Sequence, residues 1–376
     1  MIGLISSEIA TPRAILDTPG GFCWWYLDLV DDAGDGLVLI WSYGLPFLPG
    51  VAGAAREGQP QAPRLRPSVN LATYRGGRLD SYVLHELDPA VCHWDAGGDS
   101  QTMGGCHFEI SDSGGRRALN IVIDLPVPAT QERLRAQVQV EGPLVRLDST
   151  GEADPMHAWG PVLTAARGRA TVFLGEQAVL AVQGAAYHDR NNSRAPLHAL
   201  GIRRWRWVRL NLPDRQLAWY QLDPTRGGDP ARSILVETRP DGSGHVYEDV
   251  PYRLRQPLLN PFLLGWHRQI DVDATTLGGT RFTVTQNLPV DSGPFYLRFL
   301  VRGRDSAGQE GVGVSEVVAP ARIDLAWMRA MVRLRVSSDR PGSWLQPLFT
   351  GPMASRPARF LGQLWPAQHL LPEAPR

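Results

Sequence analysis

The sequence predicts an all-β protein made of two barrel-like halves, and three observations support this prediction. The 376 residues include 39 glycines and 31 prolines, which divide the chain into short segments as turn residues do. Between them, apolar or alternating runs of strand length recur. Twelve tryptophans supply large surfaces for a core or a cavity wall.

The first half of the chain contains a series of predicted strands, beginning with a hairpin. Residues 22–30 and 37–43 resemble strands and are joined by an Asp- and Gly-rich turn at 31–36. The strands that follow are predicted at 68–74, 79–86, 106–110, 118–123, 135–140, 169–174 and 178–185. This series is typical of a barrel or a closed sandwich. Residues 51–67, rich in Ala, Pro, Gly and Arg, are expected to form an irregular loop.

The second half repeats the pattern. Its first strand, near Ile202, alternates until Val208, where the apolar phase slips, as it would at a β-bulge. Further strands are predicted at 217–222, 233–238, 244–250, 268–273, 280–286, 295–302 and 311–318. Residues 322–336 have helical spacing, although their last part fits a strand equally well. We therefore expect two domains, 1–195 and 196–376, the second ending in a Pro-rich tail that packs along the barrels as extended coil.

Composition excludes several classes of function. The formal net charge is zero, so no overall field would draw the protein to nucleic acid, which is not expected as a partner. There is no lysine, which excludes Schiff-base chemistry and a P-loop. Three cysteines and the lack of a signal-like N-terminus favour a reducing cytoplasm. No apolar run reaches the roughly 18 residues of a membrane span.

Two apparent metal motifs are better explained as structure. Asp31-Asp32-x-x-Asp35 has the letters of a magnesium motif, but that motif works on a helix and these residues lie in a hairpin turn. Cys92-His93 and Cys106-His107 would point adjacent side chains to opposite faces of a strand, away from a shared metal. The motifs of serine hydrolases, zinc proteases and dinucleotide enzymes are also missing from the sequence. No metal and no cofactor are expected.

Two short clusters carry the functional hypothesis. His157 and Trp159 are two residues apart, as are Tyr187 and Asp189, so each pair shares one face of a strand. Each pair places an aromatic ring beside a side chain that can donate or accept a proton. A carboxylic acid near an imidazole and two π-faces suits the protonation of an alkene and the stabilisation of the resulting carbocation. The alternative is a pair of core aromatics with hydrogen-bonded polar neighbours.

The segments around these residues resemble the carotenoid 1,2-hydratases, also called hydroxyneurosporene synthases. The resemblance begins at 21–28 and 35–40 and extends through the His-x-Trp-x-Pro segment at 157–161. It continues in order through the segments at 187–191, 195–197, 204–207, 293–298 and 315–316. The family implies two lipocalin-like (calycin-type) β-barrels in tandem, with few short helices. It also implies catalytic roles for His157, Trp159, Tyr187 and Asp189.

The leading hypothesis is a cofactor-independent hydratase that adds water to a terminal isoprene double bond of an acyclic carotenoid or related isoprenoid. Asp189 would donate the proton, Trp159 and Tyr187 would stabilise the tertiary cation, and His157 would orient the water or take up its proton. Glu316, in another matching segment, is a second candidate for proton transfer. Two alternatives stay open. One is an isoprenoid or polyene cyclase of the same fold, including the Diels–Alder type, and the other is a lipocalin-like carrier of a hydrophobic ligand.

A hydrophobic substrate of this kind implies at least a transient contact with a membrane surface. The segment 322–336 offers an interfacial helix, with apolar side chains at Leu325, Trp327, Met328, Met331 and Val332 interspersed with arginines. The same segment could instead cover the mouth of a barrel, which we favour. The sequence gives neither the oligomeric state nor the position of the pocket.

Overall fold

A computed structural model describes residues 2–95, 100–128, 130, 132–149, 155–227, 230–340 and 342–356. The first half of the chain forms a meander of strands that ends in a pair of unusually long ones. Its strands are β1 (Ile2–Leu4), β2 (Phe22–Val30), β3 (Gly36–Tyr43), β4 (Pro67–Arg75), β5 (Arg78–Glu86), β6 (Cys92–Trp94), β7 (Ser100–Met103), β8 (Cys106–Ser113), β9 (Arg116–Pro126), β10 (Arg133–Pro143), β11 (Arg146–Leu147), β12 (His157–Leu174) and β13 (Gln177–Ser193).

The second half forms a second meander. Its strands are β14 (Ile202–Asn211), β15 (Gln216–Pro224), β16 (Arg232–Thr238), β17 (Ser243–Glu248), β18 (Tyr252–Leu259), β19 (Gly265–Asp273), β20 (Arg281–Gln286), β21 (Asp291–Ser292), β22 (Tyr296–Asp305), β23 (Glu310–Val318) and β24 (Val336–Ser338). The α-helices are α1 (Val51–Arg56) and α2 (Ala326–Arg333). Short 3₁₀ turns lie at Arg13–Asp17, Pro63–Leu65, Pro89–Val91, Leu197–Ala199, Thr275–Leu277, Pro320–Arg322, Gln346–Leu348 and Pro352–Ala354.

The described strands form two large sheets. The first has the order β24-β5-β4-β3-β2-β13-β12-β10-β9-β8-β7-β6, with β1 paired to β12. The second has the order β11-β17-β16-β15-β14-β23-β22-β20-β19-β18, with β21 paired to β22. Strands far apart in the first order, such as β5 and β9, contact each other, so this sheet is curled. The expected all-β, lipocalin-like fold is confirmed, whereas the domain boundary at residue 195 stays a prediction.

Three apolar layers follow from the alternation of side chains along the strands. One lies inside the first sheet and contains residues such as Leu39, Leu71 and Ile121. Another lies inside the second sheet. The third joins residues of both sheets, among them Tyr26 and Trp207, and we call it the inter-sheet layer. Strands that border this layer are buried on both faces, which removes the alternation that sequence analysis relies on.

Burial of a strand on both faces explains why two predictions about the strands were wrong. No bulge lies at Val208, because β14 pairs with β15 in continuous register from Arg204 to Asn211, and the irregularity is instead at Ile202. The apolar phase slips because Trp207 faces the inter-sheet layer while Val208 faces the core of the second sheet. Similarly, β12 and β13 extend far beyond the predicted segments 169–174 and 178–185, since the added part of β13 is continuously buried.

The expected irregular loop at 51–67 is also corrected. Its first residues form α1, because the carboxylate of Asp324 accepts hydrogen bonds from the backbone N–H groups of Gly50 and Gly53 at 2.9 and 2.6 Å. An acidic group at a helix N-terminus is favourable, and this one comes from a distant part of the chain. Within the segment 322–336, residues Ala326–Arg333 form α2, and the strand β24 begins only at the last residue, Val336. Residues 342–356 of the predicted tail contain two 3₁₀ turns, and residues 357–376 lie outside the described part of the chain.

Candidate active site

The long pair β12 and β13 brings the four predicted site residues together. The strands pair in antiparallel register, with Trp159 opposite Asn191 and Pro161 opposite Asp189, and the register shifts just after Pro161. Trp159 and Tyr187 both belong to the inter-sheet layer. The site therefore lies on the face of the first sheet that packs against the second.

Asp189 is the centre of the cluster and accepts three hydrogen bonds. Its Oδ2 atom receives the indole N–H of Trp159 and the hydroxyl of Tyr187, each at 2.9 Å. Its Oδ1 atom receives the side-chain amide of Asn191 at 3.0 Å. The carboxyl is almost fully buried, with 4% of the residue exposed. Three donors and a dry environment act in opposite directions on its protonation.

His157 reaches this carboxyl through Asn191. The distance from His157 Nε2 to Asn191 Oδ1 is 3.2 Å, and because an amide oxygen can only accept, Nε2 carries the proton. The other ring nitrogen, Nδ1, is buried and makes no hydrogen bond to the described residues. Asn191 thus stands between the imidazole and Asp189, in the order His157, Asn191, Asp189.

Burial decides the protonation of these groups. It raises the pKa of Asp189 to about 7, against the opposing hydrogen bonds from Trp159 and Tyr187. Burial lowers the pKa of His157 to about 4, so this imidazole is neutral near pH 7. The pKa of Tyr187 is raised well above its usual range by burial and by the adjacent Asp189, so its hydroxyl stays a donor. The cluster thus holds an acid that is partly protonated near neutral pH.

Aromatic rings from the second sheet complete the surroundings of the acid. Trp207 packs at 5.3 Å from Tyr187 and at 5.4 Å from Tyr26, measured between ring centroids. Tyr220 packs at 5.2 Å from Trp159. Trp159 and Tyr187 therefore meet the Asp189 carboxyl through their polar edges, and rings from the second sheet pack against these two side chains. Such a setting is low in water and stabilises a cation through the electron-rich ring faces.

A cavity of about 620 Å³ lies between the sheets, and its wall at Ile40 is two strands from Asp189. Its volume falls in the range of ligand pockets, and its wall is largely apolar. The part of the wall that belongs to the sheets includes Ile40, Leu84, Tyr296 and Arg298, and α2 contributes Met331 and Val332. The segment 322–336 therefore covers a cavity, although one between the sheets and not inside a barrel.

None of the four predicted residues is among the described residues that line the cavity, and the sheet register explains their separation. Asp189 lies opposite Tyr26, Tyr26 lies opposite Ile40, and Ile40 lies opposite Asn70 across successive strands. Ile40 and Asn70 line the cavity. At roughly 4.8 Å per strand, Asp189 is about 10 Å from the cavity wall at Ile40. Tyr26 is the residue of this row that stands between them.

Four members of the site were not among the predicted candidates. Asn191 lies in the same short segment as Tyr187 and Asp189, so the local sequence could have suggested it. Tyr26, Trp207 and Tyr220 come from other strands. Strand pairing within the first sheet brings Tyr26 to the cluster, and packing of the second sheet on the first brings Trp207 and Tyr220, so no local pattern could have indicated them.

The other candidates of the sequence analysis lie elsewhere. The Asp31 carboxylate accepts the backbone N–H groups of Ala33 and Asp35 at 2.9 Å, as a turn residue does. Among the described residues, no group of three His, Cys, Asp or Glu could hold a metal ion. Glu316 lies in the second sheet, where Arg298 Nε donates to it at 3.0 Å. None of the described helices is long and apolar enough to cross a membrane.

Sequence comparisons point to one family. A sequence model of the family described as "Carotenoid hydratase CrtC" matches residues 57–344. The acyclic carotenoid 1,2-hydratase of Rubrivivax gelatinosus is 30% identical over 339 residues, covering 82% of this chain and 73% of that protein. That of Thiocapsa roseopersicina is 28% identical over 327 residues, covering 85% of this chain and 73% of that protein. The hydroxyneurosporene dehydrogenase of Chlorobaculum tepidum is 24% identical over 348 residues, covering 85% of this chain and 88% of that protein.

Solved structures share the fold at low sequence identity. An AttH protein of Nitrosomonas europaea superimposes with a TM-score of 0.58 at 16% identity, covering 83% of this chain and 99% of the other. CghA with Sch210972 superimposes with a TM-score of 0.51 at 11% identity, covering 84% of this chain and 94% of the other. At these identities the likeness concerns the fold alone.

Proposed function

Because the chain belongs to the carotenoid hydratase CrtC family, we propose that it adds water to a terminal isoprene double bond of an acyclic carotenoid, without a cofactor, through a tertiary carbocation. The observation that carries this proposal is the buried Asp189 carboxyl, which is surrounded by aromatic rings and has a pKa raised to about 7. The names of its relatives in Thiocapsa and Rubrivivax support the same chemistry and substrate class.

In the first step, protonated Asp189 transfers its proton to the less substituted carbon of the alkene. The carboxyl O–H bond breaks, a C–H bond forms, and the positive charge comes to rest on the tertiary carbon. The N–H of Trp159 and the hydroxyl of Tyr187 already point at Oδ2, and they stabilise the carboxylate that remains. Hydrogen bonds to an ionised acceptor are stronger than those to a neutral one, so these donors favour proton transfer without moving.

The cation is held by the rings around Asp189. Within the inter-sheet layer, Tyr187 packs against Trp207 and Trp159 packs against Tyr220. A desolvated cation–π contact contributes about 2 kcal/mol. The neighbouring carboxylate adds an attractive charge in an environment with little water to screen it.

His157 acts as a positioning residue in this proposal. Its Nε2–H fixes the oxygen of the Asn191 amide, which turns the amide nitrogen toward Asp189. The prediction that His157 handles the water directly would require a path past Asn191. As a neutral imidazole, it places no charge that would oppose the cation.

The polyene would occupy the cavity between the sheets, with its terminal isoprene unit at the end marked by Ile40. This end is one strand from Tyr26 and two from Asp189. The ring of Tyr26 must turn aside for the alkene carbon to meet the carboxyl. The largely apolar wall of the cavity suits a hydrocarbon chain, which gains free energy by leaving water.

The direct test is to incubate the purified protein with lycopene in detergent and to follow the mass of the product. We expect a product heavier by one or two waters, one for each terminal unit. A product of unchanged mass would identify a cyclase or isomerase instead. Saturable binding of the carotenoid without any product would identify a carrier.

A membrane contact follows from the same substrate. Exposed apolar side chains lie near the cavity, with Leu288 in its wall and Leu263 beside the lining residue Phe262, at 59% and 66% exposure. Trp327, on the helix that covers the cavity, is 68% exposed. These three residues, the apolar rim, would enter the lipid surface and bring the cavity to a membrane-dissolved carotenoid.

A further inference from the structure

The sheet register places a second carboxyl between the cavity and Asp189. In the second sheet, Arg298 lies opposite Glu316, and Glu316 lies opposite Trp207 across successive strands. Arg298 lines the cavity, whereas Trp207 packs against Tyr26 and Tyr187 beside the acid. Glu316 on the second sheet is therefore one strand from a residue that lines the cavity, as Tyr26 is on the first sheet.

The Glu316 carboxyl is fixed on one side. Its Oε1 atom receives Arg298 Nε at 3.0 Å and the hydroxyl of Tyr296. Arg298 is itself fixed by a hydrogen bond from Nη1 to the hydroxyl of Tyr74, at 3.0 Å. The side chain of Glu316 keeps 13% of its surface accessible, enough for a small molecule to contact it. The second oxygen, Oε2, is the one left for such a contact.

Glu316 is also close enough to influence the groups of the acid cluster. Its charge contributes to the raised pKa values of Asp189, Tyr26 and Tyr220. Burial raises the pKa of Glu316 itself, and Arg298 counteracts this by favouring the carboxylate. Asp28, the other carboxyl with an influence on Asp189 and Tyr26, binds Arg209 through Oδ1, whereas its Oδ2 makes no hydrogen bond of ordinary geometry to the described residues.

Two residues related to Glu316 carry a buried polar atom: Trp207 lies opposite Glu316 in the sheet, and the charge of Glu316 adds to the rise that burial causes in the pKa of Tyr26. The indole N–H of Trp207 is buried and makes no hydrogen bond to the described residues. The buried hydroxyl of Tyr26 makes none of ordinary geometry, although it lies close enough to the Asp28 carboxyl to counteract the rise that burial causes in the pKa of that group. Tyr26 and Trp207 are 5% and 4% exposed. Leaving a buried polar atom unsatisfied costs about 1–3 kcal/mol, and a bound water commonly satisfies several such atoms at once. These atoms and Glu316 come from the two sides of one narrow layer.

We infer that Glu316, Tyr26 and Trp207 bind the water that attacks the carbocation, and that Glu316 is the base that removes its proton. The inference rests on the proposed hydration and concerns its second step, in which water captures the cation and loses a proton. A C–O bond forms between the water oxygen and the tertiary carbon, and one O–H bond of that water breaks. Its proton goes to the Glu316 carboxylate. Glu316 returns one proton to the Asp189 carboxylate through the next water, so both carboxyls are restored.

The test separates protonation of the alkene from capture of the cation. The reaction is run in deuterium oxide, and both the hydroxylated product and the deuterium content of the recovered carotenoid are measured. A cation that no water captures loses a proton and returns to an alkene that carries deuterium. For Glu316→Gln, which keeps a hydrogen-bond acceptor for Arg298, we expect hydration to fall by about 10²-fold. Deuterium in recovered carotenoid, per product formed, should rise.

Tyr26→Phe removes only the hydroxyl and should also raise the deuterium content of recovered carotenoid relative to the hydrated product. This variant keeps the test possible if Glu316→Gln folds poorly. Glu86→Gln is the matched control, because Glu86 is a partly buried carboxylate paired with Arg66 in the first sheet. It should leave both rates unchanged. A crystal structure should also show a water bonded to Glu316, Tyr26 and Trp207.

Three outcomes would overturn the inference. Equal loss of hydration and deuterium exchange in Glu316→Gln and Tyr26→Phe would give these residues a structural role. An unchanged ratio of deuterium exchange to hydration in both variants would mean that another group binds the water. A structure with direct protein partners for the Tyr26 hydroxyl and the Trp207 indole would remove the site. In contrast, Asp189→Asn with normal exchange would refute the proposed acid and leave the water site standing.

Discussion

At the scale of the residue, Asp189 shows how environment sets function. An exposed aspartic acid is ionised near pH 7, whereas burial in the inter-sheet layer raises the pKa of Asp189 to about 7. The donors from Trp159 and Tyr187 limit this rise. A still higher pKa would make the acid too weak to protonate an alkene, and a lower one would leave it ionised. The balance is typical of a general acid that works near neutral pH.

The same pKa predicts how activity depends on pH. Only the protonated form of Asp189 can donate, so kcat/KM should fall as pH rises through about 7, approaching about tenfold per pH unit. A second loss should occur below about pH 4, where His157 gains a charge. The measurement is a pH–rate profile, with circular dichroism at each pH to confirm folding. A rate that increases between pH 7 and 9 would contradict an acid role for Asp189.

How much of the site the sequence can predict depends on which contacts are local. His157, Trp159, Tyr187 and Asp189 lie on two strands with two-residue spacing, and their local segments resemble a known family, so they could be selected before the structure. The partners from other strands could not, because they depend on register. A slip of one residue in β2 would turn Tyr26 to the other face of the sheet.

At the scale of the element, α2 and the turn at 260–264 both contribute residues to the wall of the cavity. Asn260 Oδ1 accepts the backbone N–H groups of Phe262 and Leu264, at 3.0 and 2.8 Å. This turn holds Leu263 at a φ of +58°, a conformation that is uncommon for leucine. An apolar side chain presented to solvent on a constrained turn suggests a surface that meets lipid.

The apolar rim gives a prediction about membrane binding. Leu263→Ser combined with Leu288→Ser should reduce the affinity for phosphatidylcholine vesicles by at least about tenfold, because a buried leucine side chain contributes roughly 1.5 kcal/mol or more. Vesicle co-sedimentation measures this affinity. Leu277→Ser is the control. Leu277 is 46% exposed, but it follows the end of β19 that is farther from the cavity, whereas Trp266 at the start of this strand lines the cavity. Equal binding by the double variant and the wild-type protein would show that the rim does not meet the membrane.

Element prediction succeeded where strands have one buried face and failed where they have two. The alternation of β9 and β10 is visible in their burial patterns, and both strands were predicted. The buried half of β13 has no such alternation. The helix α1 was missed for a different reason, because Asp324 stabilises its first turn from more than 260 positions away.

At the scale of the whole molecule, two sheets enclose one reaction space. The ion pair between Asp28 and Arg209 joins them and is completely buried on both sides. Each sheet supplies part of the chemistry: the first holds Asp189, and the second holds Trp207, Tyr220 and Glu316. Because each sheet supplies part of the site, we expect that neither half of the chain can act alone.

In the proposed reaction, hydration starts with a proton from Asp189. The most direct measurement is the position of deuterium in the product formed from lycopene in deuterium oxide, for the wild-type protein and for Asp189→Asn. We predict one deuterium on the carbon next to each new carbinol carbon in the wild-type product. Proton transfer to this neighbouring carbon creates the cation on the tertiary carbon, which water then converts to the carbinol. Asp189→Asn should bind the carotenoid but form no product. A wild-type product without this deuterium, or an active Asp189→Asn variant, would contradict the account.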